Sequence, residues 1–157
     1  MSSSIEEILR RDGVFVYKTR GGSMKPMLRQ NRDLVTIQVP HSRLKKYDVA
    51  LYKCGEAYVL HRVIKVEPGR YLIRGDNTFV LEKVPESAVI GVLTCFLRNG
   101  KERLVTDRDY LFYVRFWQMI YPLRLLYHRS YRGLAGIARR IGLLQLIKRA
   151  PGKGSRS

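Results

Sequence analysis

Residues 57–77 read AYVLHRVIKVEPGRYLIRGDN. Two runs rich in β-branched and aromatic residues flank Pro68-Gly69, and the second stops at Gly75-Asp76-Asn77. Pro-Gly punctuates the chain as a turn, so the segment predicts a β-hairpin with strands at 57–66 and 70–74. The same grammar extends outward. DLVTIQV (33–39) stops at Pro40, and DVALYK (48–53) stops at Cys54-Gly55. SAVIGVLTCFL (87–97) ends at Asn99-Gly100, a strong hairpin signal, with KERLVT (101–106) as its return. VFVYKT (14–19) alternates as a further short strand. These spacings leave no room for crossover helices. The expected fold is therefore mainly β, a coiled sheet or barrel-like core.

The flanks follow a different period. SSSIEEILRR (2–11) predicts a short capped helix, with serines before it, acids in its first turn and arginines at its end. Asp12-Gly13 closes it. Past Thr106, Leu111, Val114, Trp117, Met119, Ile120 and Leu123 suit a helical face, which Pro122 kinks or ends. A second helix is expected over 132–149, weakened by three glycines. The expected organisation is a β domain over 1–109, a basic, aromatic-rich helical tail over 110–150, and disorder over 151–157.

Charge divides the chain in the same place. The 157 residues carry 30 Lys+Arg against 13 Asp+Glu, net +17. No acidic residue follows Asp109, and residues 110–157 hold ten of the basic ones. A basic tail suits anionic lipid, nucleic acid or an acidic partner, or simply a solvated face. Charge alone does not argue nucleic-acid binding, which is not expected. Cys54 and Cys95 form no CxxC or metal spacing and read as buried free thiols of a reducing compartment. The N-terminus has no apolar secretory core, and no apolar run reaches a membrane span. The chain is expected to be cytoplasmic, or peripheral on a membrane surface.

Three residues carry candidate chemistry. Ser23 stands in GGSMKPML (21–28), where two glycines permit a tight turn that presents a hydroxyl and frees backbone N–H groups. Alone, Gly-Gly-Ser is far more often a plain turn. His61 lies in an apolar strand, on the face of Val59 and Val63, where shelter keeps an imidazole neutral and fit to act as a base. His41 sits in a polar loop and His128 in the basic tail, neither a natural base. Asp76 ends the strand beside that of His61, so its carboxylate is placed to orient the imidazole. Gly-Asp-Asn is also good turn chemistry in its own right.

Taken together, these segments resemble the boxes of type I signal peptidases. GGSMKPML is similar to the serine box, usually Ser-Gly-Ser-Met-x-Pro. NRDLVTI and KYDVALYK resemble the strands that follow it. HRVIKV resembles the histidine box of the endoplasmic-reticulum and archaeal branch, where bacterial enzymes place a lysine. YLIRGDNT resembles the GDNN box, and VPESAVIGVL the strand after it. The resemblance spans residues 21–93 in order. It implies a serine endopeptidase with Ser23 as nucleophile, His61 as general base and Asp76 as acidic partner, needing no cofactor or metal. Lys25 occupies the variable position and is not the catalytic lysine.

Departures mark the pattern. Gly21 replaces the first serine, so backbone N–H groups alone must hold an oxyanion. Arg32 replaces the glycine of the usual Gly-Asp pair. The second acid of the histidine branch is absent, and Glu82 is the nearest candidate for acidic support. The family's membrane anchor is missing. The implied substrate is a precursor peptide or protein, bound as an extended strand and cut after small residues. Two settings stay open: an anionic membrane surface held through the tail 110–150, or cytoplasmic leader removal. Two alternatives stand beside the enzyme, a non-catalytic peptide-binding module of the same fold and a self-cleaving-repressor-like peptidase. The roughly 20 residues before the serine box are too few for the latter's DNA-binding unit.

Overall fold

The computed structural model describes residues 4–140, with side chains over 4–131. It contains eight strands, all paired antiparallel, in a single sheet. The strands are β1 (Val14–Lys18), β2 (Leu34–Gln38), β3 (Val49–Cys54), β4 (Ala57–Glu67), β5 (Arg70–Arg74), β6 (Glu82–Pro85), β7 (Val89–Arg98) and β8 (Lys101–Leu104). Their spatial order is β1-β2-β7-β3-β4-β5-β6, with β8 beside β7. The mainly-β expectation holds, and β4 and β5 form the hairpin read from Pro68-Gly69. Strand β6 has no counterpart in the sequence reading. It is four residues long, ends in proline and sits at the sheet edge, where proline is tolerated.

Helix α1 (Ile5–Asp12) opens the chain. Ser4 is its N-cap and exchanges a capping-box pair with Glu7, and Gly13 closes it in the left-handed conformation at φ 72°. Leu9, its one buried residue, packs into the core.

Strand β3 shows why the centre of the sheet is stable. Its first four residues are all buried, because both of its faces are covered. Val49 and Leu51 join one cluster, with Val35, Ile37, Leu93 and Phe96, while Ala50 and Tyr52 join another, with Val63, Tyr71 and Ile73. Two-faced burial of a strand looks like plain alternation in the sequence. Cys95 is buried as expected, but Cys54 is exposed at the end of β3, where the hairpin turn carries it past the covered region.

Helix α2 (Arg108–Met119) follows β8, and α3 (Tyr121–Arg140) follows α2. The first compact unit ends at Trp117, not at residue 109 as the composition suggested. The reason is packing: Tyr110 and Val114 are buried in the core with Met27, Leu28 and Phe96. The second unit begins at Gln118, and its described element is α3. The expected helical run stops at Met119, and Pro122 belongs to the next helix. It occupies the first turn of α3, where its missing N–H costs nothing. The second expected helix thus starts eleven residues earlier than the 132 foreseen. The stretches 141–149 and 151–157 lie outside the described residues.

Candidate active site

The loop between β1 and β2 is anchored by buried side chains. Met24, Met27 and Leu28 are buried at 5%, 3% and 3% exposure. Burying a side chain of this kind stabilises by about 1.5–3 kcal/mol. Asp33 is buried below them, accepts from the Arg29 backbone N–H at 2.9 Å and pairs with Arg98 at 3.1 Å. Arg98 also donates to the Pro26 carbonyl at 3.0 Å. Thr19 Oγ1 donates to the Arg29 carbonyl at 2.9 Å, closing the base of the loop. Gly21, at φ 78°, makes the left-handed turn that a side chain would resist. With its neighbours fixed, Ser23 is left at the rim of a cleft of about 840 Å³. Among the described residues neither its hydroxyl nor its backbone N–H is hydrogen-bonded.

The cleft runs between β1 and β4. Phe15, Tyr17 and Lys18 line one wall, Tyr58 to His61 the other, and Ile5 of α1 also faces it. Strand β1 ends the sheet and pairs with β2 alone. The β4 residues 57–61 pair with β3, while β5 takes up β4 only from Arg62 onward. Two strands bordering the cleft therefore each carry an unpaired edge among the described residues. Burial pushes the Tyr17 phenol up to about 12, so that hydroxyl stays protonated at neutral pH.

His61 is buried at 7% exposure. Its Nδ1 lies 3.0 Å from Glu82 Oε1 and 3.2 Å from the Tyr52 hydroxyl. Tyr52 also donates to the other Glu82 oxygen. A carboxylate only accepts, so Nδ1 carries the proton and Nε2 holds a lone pair. Burial lowers the His61 pKa, against smaller raising effects of Glu82 and Asp76, so the ring is neutral at pH 7. The Tyr52 phenol is pushed well above its ordinary value by burial and then by Glu82, and it remains a donor.

Gly75 joins the imidazole to the serine loop. A methyl group there would sit 2.7 Å from the Ser23 carbonyl oxygen and 3.0 Å from His61 Nε2. Only a hydrogen fits between them. The Asn77 N–H donates to the same Ser23 carbonyl at 2.7 Å, and Asn77 Nδ2 to Gly22 O at 3.3 Å. The turn Gly75-Asp76-Asn77 therefore holds the serine loop against the histidine strand.

Asp76 has a different post from the one foreseen. Its oxygens accept from Arg62 Nε and Nη2, both at 2.7 Å, with neither side chain exposed. Tyr113 donates to it at 3.2 Å, and the Trp117 indole donates to its carbonyl at 2.9 Å. Arg62 also reaches the Tyr47 carbonyl, the Tyr110 hydroxyl and Met27 Sδ. The carboxylate against Nδ1 is Glu82, and Asp76 locks the turn to the β sheet and to α2. In the sheet Arg62 is opposite Arg74, and β6 brings Glu82 opposite Ile73, which is itself opposite Val63.

Sequence reading missed Tyr52 and Arg62. Tyr52 looked like any apolar residue of an alternating strand. Arg62 sat in the His-Arg-Val stretch, but nothing local marks an arginine that will be 0% exposed. Among the described residues no cluster of His, Cys, Asp or Glu has the makings of a metal site. No family model and no curated protein matches the sequence.

Proposed function

We propose that this chain is a serine endopeptidase of the signal-peptidase type, with Ser23 as nucleophile, His61 as base and Glu82, not Asp76, as the orienting carboxylate. The observation that supports it most is the contact at Gly75, which sets the lone-pair nitrogen of His61 and the Ser23 backbone on either side of one hydrogen. Ser23 Oγ and Nε2 are not hydrogen-bonded here. Rotation about χ1 moves Oγ among three staggered positions, and catalytic contacts commonly tighten only when substrate binds.

In the proposed cycle a peptide lies in the cleft as a strand, using the free edges of β1 and β4. Ser23 Oγ attacks the scissile carbonyl and its proton passes to Nε2. The unpaired Ser23 N–H is a donor available to the developing oxyanion. The tetrahedral intermediate collapses, the C–N bond breaks, and Nε2 gives its proton to the leaving amine. Water, deprotonated by Nε2, then cleaves the acyl ester, freeing the acid and Ser23 Oγ–H. Throughout, Glu82 stabilises the imidazolium through Nδ1. The precursor peptide remains the expected substrate class.

Labelling with a fluorophosphonate probe tests this reading. The wild type is expected to take one label, at Ser23. Ser23→Ala is expected to take none, and His61→Gln about 10²–10⁴-fold less. A wild type that resists the probe, or a Ser23→Ala variant labelled equally, overturns the assignment.

A further inference from the structure

Helix α3 carries large apolar side chains that are exposed. Leu123, Leu126, Tyr127 and Tyr131 are 68%, 63%, 73% and 64% exposed. At 3.6 residues per turn they fall on one side of the helix, with Arg124 and Arg129 at its two flanks. The Tyr127 and Tyr131 rings stack along this side at 6.4 Å. The helix runs 20 residues, long enough in principle to span a bilayer, but it contains five arginines. No helix among the described residues is long and apolar enough to cross a membrane.

We propose that α3 lies in the plane of an anionic lipid surface, with Leu123, Leu126, Tyr127 and Tyr131 in the acyl boundary and Arg124 and Arg129 among the headgroup phosphates. Charge selects this occupant. Residues 110–157 hold ten basic side chains and no acidic one. A second copy of the helix would bring like charge to like charge, and a neutral apolar groove would offer no counter-ion to Arg129. A phosphate-bearing interface supplies an apolar layer and negative charge at the depths this helix presents them. Arginine stems reach upward from such a position while their heads stay solvated. Tyrosine, apolar in body and polar at its tip, suits the same boundary. This proposal stands independently of the peptidase reading, since it uses no residue of the cleft.

The test is co-sedimentation of the full chain with vesicles of phosphatidylcholine alone and of phosphatidylcholine with a third phosphatidylserine. Binding is expected to the anionic vesicles at least about tenfold more tightly, and to weaken as NaCl rises from about 0.1 to 0.5 M. Leu126→Glu/Tyr131→Glu and, separately, Arg129→Glu are each expected to reduce it several-fold. These side chains are exposed, and circular dichroism checks that the fold persists. Failure to bind anionic vesicles overturns the proposal. So does binding that the Leu126→Glu/Tyr131→Glu variant leaves intact. A concentration-dependent dimer abolished by that variant assigns the face to a second copy. Equal affinity for a duplex oligonucleotide, lost in Arg129→Glu but kept in Leu126→Glu/Tyr131→Glu, assigns the charge to nucleic acid.

Discussion

Asp76 has its side chain wholly buried against Arg62, whereas Glu82 keeps about a third of its own in solvent, at 32%. This difference separates the two carboxylates experimentally. Asp76→Asn leaves a buried guanidinium short of its counter-charge, a change that typically costs about 3–5 kcal/mol. For a chain of this length that lowers Tm by roughly 10 °C, readable by calorimetry. Glu82→Gln removes a half-open partner and is expected to shift stability by less than about 1 kcal/mol. Its effect falls on the reaction instead. Glu82 raises the His61 pKa against the lowering by burial, so its neutralisation drops that pKa further. The wild-type kcat/KM is expected to rise with pH through an apparent pKa below the ordinary 6.5. In Glu82→Gln the limb moves to lower pH while kcat falls, as measured by a pH–rate profile. The linkage sign agrees: below pH 6.5 the unfolded chain binds the His61 proton more readily than the fold does. This group's contribution to stability is full above that pH and is lost on acidification. Ser23 and His61 were legible as candidates because a serine after two glycines and a histidine in an apolar strand are local anomalies. The contact of Glu82, rather than Asp76, with His61 Nδ1 was not. It depends on which strand edge β6 occupies, and a four-residue strand ending in proline leaves almost no trace in the sequence.

At the scale of elements, the β4–β5 hairpin was readable from Pro68-Gly69 and from β-branched residues on either side. Its contact with the serine loop was not, because that contact is made by a missing side chain. Gly75→Ala places a methyl 2.7 Å from a backbone oxygen, closer than real contacts allow, and the oxygen belongs to the anchored serine loop. The loop or the ring must shift. Displacements of about 1 Å in such sites cost on the order of 10²-fold in rate. We expect Gly75→Ala to fold, with Tm lowered, and to lose fluorophosphonate labelling by about that factor. Unchanged labelling would show that the contact does not set the geometry. The start of α1 was equally legible, since Ser4 and Glu7 form a capping box three residues apart. The domain boundary was not. Charge changes after Asp109, but packing changes only after Trp117, because the first turns of α2 bury Tyr110 and Val114.

Across the whole molecule, the described chain divides into units ending and beginning at Trp117 and Gln118. The cleft belongs to the first and α3 to the second. Leu125→Pro breaks α3 in its interior. It is expected to abolish sedimentation with anionic vesicles while leaving the labelling of Ser23 unchanged. Loss of both would tie the cleft to the helix. The central claim is hydrolysis at the cleft, and the most direct measurement is cleavage of a diverse peptide library followed by mass spectrometry. The account expects defined cuts by the wild type, with the rate in both Ser23→Ala and His61→Gln reduced by at least about 10³-fold. Cuts that persist unchanged in Ser23→Ala, or a wild type that retains peptides without cutting any, would contradict it.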